Sequence, residues 1–239
     1  MYRLVATDVD GVVKPYHDPV PREISDLLKK ISQHCRIIFL SGRQITWLDG
    51  LILGMGLRPN RTILVGEEGS VIYFPDEVRI IYALEKDELK KFQRIRNSLK
   101  DELERSFGDK IFIPCTRVIL TMAAGEYFEE VDNYVKKFLE KNHAKNLCRL
   151  IYHRMHNVIQ VFPVNVDKYV SLRRILAELG ISDEEVIALG DGLNDIPMLQ
   201  KAGLSIAVGD NPEVKRAAKV HFEDPIEAFS YVLKIIRRE

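Results

Sequence analysis

Two pairs of acidic residues follow directly on apolar runs, far apart along the chain. Asp8 and Asp10 end the stretch LVATDVD, and Asp191 and Asp195 lie in the stretch VIALGDGLND. Burying one carboxylate costs free energy, and a second like charge nearby raises that cost. The sequence therefore indicates that a positive charge or a bound ligand compensates for these acids.

The elements that must position these acids are short strands. Apolar runs alternate with helical patterns in the first and last parts of the chain, which is typical of a parallel sheet with crossover helices. Five runs are predicted as strands: YRLVATDVD, RIIFL, TILVG, VIALGDG and LSIAVGD. The carboxyl ends of parallel strands lie at one edge of a sheet, where ligands of such folds bind. If these strands are neighbours, the four carboxylates converge at that edge.

A cluster of carboxylates without histidine or cysteine favours Mg²⁺ over zinc, because Mg²⁺ prefers oxygen ligands. Ser41, at the end of RIIFL, and Lys168 add a hydroxyl and a positive charge. Such a set suits phosphoryl transfer, in which catalysis is mostly positioning and charge neutralisation. One carboxylate could attack phosphorus, and a second could protonate the leaving oxygen. Taken singly, Lys168 also fits a surface lysine, and Asp195 also fits the cap of a helix that begins near Pro197.

The middle of the chain has a different pattern. Four segments are predicted as strands, VRIIY, RVILTM, CRLIY and NVIQVF, together with two amphipathic helices. The apolar residues of these helices are Phe92, Ile95, Leu99 and Leu103 in one, and Phe128, Val131, Val135 and Phe138 in the other. We expect an α/β fold: a Rossmann-like parallel-sheet core of residues 1–75 and 164–239, with an inserted α+β cap domain of residues 76–163.

Composition argues against several classes of partner. The 239 residues carry 35 basic and 35 acidic side chains, so no net charge attracts nucleic acid or an anionic membrane. Three scattered cysteines show neither zinc spacing nor a disulfide framework, which favours a reducing compartment. The chain begins with a strand pattern rather than a leader, and no apolar run is long enough to span a bilayer. We expect a cytoplasmic monomer or homodimer that binds neither nucleic acid nor membrane.

The motifs DVDG, LSGR and GDGLND, with Lys168 between the last two, resemble those of the haloacid dehalogenase superfamily in order and separation. The inserted region is similar to the large α/β cap of the Cof-type, sucrose-phosphatase-like and archaeal phosphoglycolate phosphatase-like branches. The resemblance implies that Asp8 is the nucleophile and that Asp10 is the acid and base. It also implies that Ser41 and Lys168 hold phosphoryl oxygens. The implied substrate-binding residues of the core are Gly42 and Asn194, and the implied Mg²⁺ ligands are Asp8, Asp10, Asp191 and Asp195.

Two positions depart from the usual motifs of that superfamily. Gly11 is followed by two valines where Thr-Leu is common. Glu67-Glu68-Gly69 stands where Glu-Asn-Gly is frequent, so that an extra acid is expected near an anionic substrate.

A group of basic residues in the inserted region could bind a carboxylate of the substrate, since arginine can hold one with two parallel hydrogen bonds. The group comprises Arg117, His153, Arg154 and His156, and its two arginines are the candidate substrate-binding residues. A polar surface also explains the same residues. Arg43 is expected to be structural or exposed at the rim rather than catalytic, and Trp47 is expected to pack against the core.

The expected function is that of a Mg²⁺-dependent phosphatase. It would hydrolyse a small phosphate monoester, phosphoglycolate or a sugar phosphate, through an aspartyl-phosphate intermediate. A phosphotransferase of the phosphomannomutase type is the alternative, because such enzymes share a similar core and cap. A dehalogenase is disfavoured, since a leaving halide needs no proton from Asp10. The complete set of acids disfavours a non-catalytic binding module.

Overall fold

The computed structural model describes residues 2–16 and 18–238, apart from the side chain of Met155. The chain divides into two units. The core unit consists of Met1–Ala83 and Asp167–Glu239, and the inserted unit consists of Leu84–Val166.

The strands of the described residues form two sheets. In chain order they are β1 (Leu4–Asp8), β2 (Arg36–Leu40), β3 (Thr62–Gly66), β4 (Val71–Phe74), β5 (Arg79–Tyr82), β6 (Leu120–Ala123), β7 (Cys148–His153), β8 (Val158–Pro163), β9 (Val186–Gly190), β10 (Leu204–Val208) and β11 (Val220–Phe222). The core sheet has the order β11-β10-β9-β1-β2-β3-β4-β5. Its first six strands in this order are parallel, and β4 and β5 extend it as an antiparallel hairpin. The α/β class expected from the sequence is confirmed.

The described residues also form helices, most of which alternate with the parallel strands of the core unit. In chain order they are α1 (Arg22–Ser32), α2 (Ile45–Gly54), α3 (Lys86–Phe107), α4 (Phe128–Lys141), α5 (Lys168–Leu179), α6 (Ile196–Lys201), α7 (Pro212–Ala217) and α8 (Pro225–Arg237). Asp167 caps α5 by accepting a hydrogen bond from the Val170 amide at 2.7 Å, which makes Lys168 the first residue of this helix. Across the described residues, every helix is either too short or too polar to cross a lipid bilayer.

Apolar side chains cover both faces of the core sheet, because side chains of a strand point alternately to its two faces. On one face, Ala6 and Ile38 join a buried cluster with Leu172 and Ile175 of α5. On the other face, Val5 and Phe39 are fully buried. Parallel strands covered on both faces consist of nearly continuous apolar runs, which explains the composition of RIIFL and VIALG.

The inserted unit has a three-stranded antiparallel sheet of order β6-β8-β7. Its two helices, α3 and α4, have the apolar stripes expected from the sequence, with Phe92 and Leu99 buried on α3 and Val131 and Val135 buried on α4. Side chains at this spacing lie on one face of a helix.

The segment VRIIY was expected in the insert, and that expectation is wrong. It forms β5, which pairs with β4 in the core sheet with Val71 opposite Tyr82. The two strands form a hairpin, so the core unit extends to Ala83 rather than to residue 75, and it resumes at Asp167 rather than at residue 164. Consecutive elements of a chain are usually neighbours in space, so a short hairpin directly after β3 extends the sheet to which β3 belongs.

Candidate active site

The candidate site lies at the carboxyl edge of the core sheet, where the strand order reverses. From β1 the chain continues to β2 on one side, and β9 pairs with β1 on the other side. Such a switch point leaves a crevice outside the strand ends, in which ligands of α/β sheets bind. Asp8 is the last residue of β1, and Asp191 directly follows β9. Both side chains therefore reach this crevice.

Three carboxylates form a cluster here, with one oxygen of each lying within 4.8 Å of the others: those of Asp8, Asp191 and Asp195. Lys168 donates from Nζ to Asp8 Oδ1 at 2.6 Å and to Asp195 Oδ1 at 2.7 Å. Its side chain is 2% exposed, which argues against a surface lysine. The structure thus brings together residues that lie 160 positions apart in sequence.

The electrostatics of the cluster show an excess of negative charge. Burial raises the pKa of Asp8 well above its usual range; Asp195 and Asp191 add to this effect, while the Lys168 ammonium opposes it. Burial also raises the pKa of Asp191, with a further contribution from Asp195. Burial alone would lower the pKa of Lys168, but Asp195 and Asp8 outweigh it and raise this pKa. One ammonium therefore does not balance the three acids, and a hard divalent cation fits the all-oxygen donor set.

Asp195 holds the loop after β9. Its Oδ2 accepts hydrogen bonds from the amides of Asp191 at 3.1 Å and Gly192 at 3.0 Å, and its side chain is fully buried. The alternative that Asp195 caps the following helix is not what the structure shows, because the side chain makes no capping hydrogen bond to α6. It binds the amides that precede it instead. With Oδ1 bonded to Lys168, both of its oxygens are in use.

Gly11 lets the first loop approach the last one. It has φ of +89°, and a Cβ atom at this position would lie 2.0 Å from Asp191 Oδ2. A side chain is therefore excluded both by the backbone conformation and by the neighbouring carboxylate. This close approach explains the glycine after the two aspartates.

The Asp10 carboxylate lies outside the three-acid cluster, although it was expected to be a metal ligand. Arg43 donates to it from Nε at 2.7 Å and from Nη2 at 2.8 Å, and Lys14 donates from Nζ at 3.3 Å. The planar guanidinium matches the two carboxylate oxygens and fixes their orientation. The Arg43 guanidinium carbon also lies 4.2 Å from the centre of the Trp47 ring. Trp47 thus holds Arg43 in place, and Arg43 in turn orients Asp10, the candidate acid and base.

Ser41 and Gly42 follow β2 at the same edge. The Ser41 side chain is buried, and its Oγ accepts a hydrogen bond from the Arg43 amide at 3.1 Å. The hydroxyl proton can therefore still be donated to an oxygen atom of a ligand. Gly42 lies against Glu68, since a Cβ atom on Gly42 would be 2.5 Å from Glu68 Oε1.

Asn194 donates from Nδ2 to Glu68 Oε2 at 2.9 Å. The extra acid noticed in the sequence therefore contacts both core residues expected to bind substrate. The sequence showed that the turn after β3 carries the acid Glu68. It did not show that Asn194, in the loop after β9, is the partner of this acid.

Tyr16 and Lys14 belong to the site although no motif indicated them. The Tyr16 hydroxyl lies 3.4 Å from Asp191 Oδ2, and its side chain is largely exposed. Lys14 is buried and donates to the carbonyl oxygens of Pro15 and Tyr16, at 2.9 Å in the second case. The only indication of these Lys14 contacts in the sequence was that a lysine stands four residues after Asp10.

The basic residues of the inserted unit do not form a single cluster. His153 ends β7, and Arg154 and His156 lie in the turn that joins it to β8. Arg117 precedes β6, whose first residue pairs with Val161, so the register places it beyond the other end of this sheet. Arg154 is exposed and pairs with Glu129 at 3.3 Å, and His153 contacts Gln160 at 2.8 Å.

Comparisons with known proteins agree with the motifs. Residues 110–227 match the model of a family described as haloacid dehalogenase-like hydrolase. The phosphoglycolate phosphatase of Sulfolobus acidocaldarius is 23% identical over 218 residues, covering 89% of this chain and 86% of that protein. The Bacillus subtilis protein YxeH, which carries the name of a phosphatase, is 24% identical over 250 residues, covering 91% and 92%.

The fold is shared with a solved haloacid dehalogenase-like hydrolase from Bacteroides thetaiotaomicron. The TM-score is 0.74 over 100% of this chain and 99% of that chain, at 19% identity. The chain therefore resembles the haloacid dehalogenase-like hydrolases in its motifs and fold, and over most of its length it is similar to proteins named as phosphatases.

Proposed function

We propose that the core unit catalyses the Mg²⁺-dependent hydrolysis of a small phosphate monoester, with Asp8 as the nucleophile. The observation that supports this most directly is the 2.6 Å hydrogen bond from Lys168 Nζ to Asp8 Oδ1, inside a cluster of three acids. The ammonium fixes one carboxylate oxygen, and the other oxygen is the attacking atom. A buried acid with a perturbed pKa and a specific charge partner is a typical feature of catalytic sites.

The donor set fits Mg²⁺. Asp8 and Asp191 would hold the ion, and Asp195 would position them, because both of its oxygens already accept hydrogen bonds from this chain. When bound, Mg²⁺ would supply the positive charge that keeps these carboxyl groups ionised beside a phosphate dianion.

The chain's own residues account for the two steps of hydrolysis. Asp8 Oδ2 forms a bond to phosphorus as the bond from phosphorus to the leaving oxygen breaks, and Asp10 gives that oxygen a proton. Water then attacks the aspartyl-phosphate while Asp10 takes a proton from it, which releases phosphate and restores Asp8. Ser41 and Lys168 donate hydrogen bonds to phosphoryl oxygens, with Gly42 and Asn194 nearby. Arg43 and Lys14 keep Asp10 in place between the steps.

The substrate is a small phosphorylated metabolite. The relatives named phosphoglycolate phosphatase support phosphoglycolate as one candidate. A sugar phosphate is the other. A cytoplasmic location and a monomeric or homodimeric state are parts of the same proposal.

The test is release of inorganic phosphate from p-nitrophenyl phosphate and from a sugar monophosphate by the purified enzyme. We expect turnover with Mg²⁺, loss of turnover in EDTA, recovery with excess Mg²⁺, and poor replacement by Ca²⁺, whose coordination is larger and looser. Full activity in EDTA would contradict the proposal. A product that keeps its phosphate, formed only with an activating bisphosphate, would favour the phosphotransferase alternative.

A further inference from the structure

Glu68 is an acid that the proposed reaction does not use, although it stands within the candidate site. It belongs to the turn directly after β3, in which Glu67 and Glu68 both have φ of 54°. Residues other than Gly, Asn and Asp rarely adopt this left-handed backbone. The Glu68 amide donates to the Ser41 carbonyl at 3.1 Å, which fixes the turn against the loop after β2.

The Glu68 carboxylate touches both core residues proposed to bind substrate. Its Oε2 accepts a hydrogen bond from Asn194 Nδ2 at 2.9 Å. Its Oε1 lies so close to Gly42 that a Cβ atom there would be 2.5 Å away. The carboxylate therefore lies between the loops that follow β2 and β9, which the proposed function assigns to the phosphoryl group.

The charge of Glu68 is not paired with a cation. The residue is 8% exposed, and among the residues that the structure describes its side-chain donor is the neutral amide of Asn194, with no lysine, arginine or histidine at ion-pair distance. Lys168 interacts with Glu68 electrostatically, but its ammonium donates to Asp8 and Asp195. Among the described residues, therefore, no cation forms an ion pair with this carboxylate, which stands beside the proposed place of an anionic substrate.

We propose that Glu68 is a specificity-determining residue, an inference that rests on the proposed function. It disfavours substrates with a carboxylate next to the phosphate-bearing carbon and favours those with a hydroxyl or ammonium group there. Two like charges in a partly desolvated site repel each other, whereas a hydroxyl or an ammonium can donate to the Glu68 carboxylate. Selectivity of this kind depends on a repulsive element against the wrong substrate.

The competing role for Glu68 is mechanical, as a brace between two loops. A brace works without charge, because glutamine can accept the same hydrogen bond from Asn194. Neutral variants therefore separate the two roles. Glu68→Gln keeps the length of the side chain, and Glu68→Asn suits the left-handed backbone, so that at least one variant is expected to fold.

The experiment compares kcat/KM for two substrates that differ in one group, 2-phosphoglycolate and 2-hydroxyethyl phosphate. We expect the wild-type enzyme to favour 2-hydroxyethyl phosphate by about tenfold or more. Both Glu68 variants should narrow this ratio by about tenfold, chiefly through a lower KM for 2-phosphoglycolate. Asp76→Asn, which removes an exposed charge from the turn between β4 and β5, is the matched control and should keep the wild-type ratio.

A ratio that stays within about twofold of the wild type in both Glu68 variants would overturn the inference. So would a control that shifts the ratio as much as they do. Turnover of p-nitrophenyl phosphate, measured in parallel, reports on the proposed function itself. If the wild-type enzyme turns over none of the three esters, both proposals fail, whereas turnover with a ratio insensitive to Glu68 overturns only this one.

Discussion

The core unit and the inserted unit both bury acidic side chains, but in different electrostatic environments. In the inserted unit, Asp132 is 3% exposed and its two oxygens accept hydrogen bonds from Lys136 at 2.6 Å and from the Tyr152 hydroxyl at 2.9 Å. In the core unit, three carboxylates form a cluster with one ammonium, that of Lys168, which among the described residues donates to Asp8 and Asp195 only. Asp132 is satisfied by its neighbours, whereas the core cluster keeps an excess of negative charge.

Burial of an acid therefore does not by itself indicate a catalytic role. A buried acid with its own cation and hydroxyl donor stabilises a fold, because its hydrogen bonds offset the loss of hydration. A cluster that has more carboxylates than cations, such as that of Asp8, Asp191 and Asp195, suits the binding of a cation instead. Variants that neutralise an acid in the two regions should therefore change the free energy of unfolding in opposite directions.

The largest effect is expected from Asp8→Asn. This change keeps the size of the side chain but removes the carboxylate that we propose as the nucleophile, so kcat on p-nitrophenyl phosphate should fall by more than about a thousandfold. Far-ultraviolet circular dichroism should match that of the wild type. Asp132→Asn is the matched control in the inserted unit and should keep its turnover. Wild-type activity in Asp8→Asn would remove Asp8 from the mechanism.

A smaller loss is expected from Arg43→Ala, because Arg43 positions Asp10 rather than reacting. Without the two hydrogen bonds from Arg43, kcat on an alkyl phosphate should fall by about ten- to a hundredfold. The loss on p-nitrophenyl phosphate should be smaller, since nitrophenolate leaves without a proton. Arg43→Lys should restore part of the activity. Equal losses of kcat on the alkyl phosphate and on p-nitrophenyl phosphate would show that Arg43 does not act through Asp10.

The arginines of the inserted unit test whether that unit contributes to specificity. If one of them binds a substrate carboxylate, Arg117→Ala or Arg154→Ala should raise KM for 2-phosphoglycolate by about tenfold and leave p-nitrophenyl phosphate unchanged. The control is Lys145→Ala, which removes an exposed cation paired with Glu140 at 2.8 Å. Unchanged KM values in both arginine variants, or equal changes on both substrates, would leave the basic residues as a polar surface.

The smallest effect concerns stability without metal. Burial raises the pKa of Asp191, so its ionised form destabilises the metal-free fold above that pKa and not below the usual value. In EDTA at about pH 7, Asp191→Asn should raise the free energy of unfolding by about 1 kcal/mol, and the gain should shrink as the pH falls toward about 4.

Asp132→Asn should do the opposite and lower the free energy of unfolding by about 1 kcal/mol, because it loses an ion pair with Lys136. Urea unfolding of both variants beside the wild type measures the two changes. Two changes of the same sign would contradict the distinction between a balanced and an unbalanced acid.

Much of the core could be predicted from sequence, because each motif directly follows an apolar strand. The order of strands and the direction of parallel pairing place Asp8, Ser41 and Asp191 at one edge, and the structure has them there. The ion pair between Lys168 and Asp8 could not be predicted from the strand order alone, because it depends on how α5 packs on the sheet.

What could not be predicted depends on register and on backbone turns. Nothing in the segment VRIIY distinguishes a strand of the core from one of the insert, because both environments favour the same residue types. Arg117 was grouped with Arg154 by composition, but the register of β6 on β8 separates them. The contact between Glu68 and Asn194 arises from two turns that have no sequence pattern in common.

In the proposed reaction, the phosphoryl group passes through Asp8. The most direct test is acid quenching during turnover of a good substrate with Mg²⁺, followed by mass spectrometry of the intact chain and of the peptide that contains Asp8. We predict a transient fraction of the wild-type chain that carries one phosphoryl group on Asp8, and none in Asp8→Asn. A phosphoryl group on another residue, or rapid turnover in Asp8→Asn, would show that Asp8 is not the nucleophile.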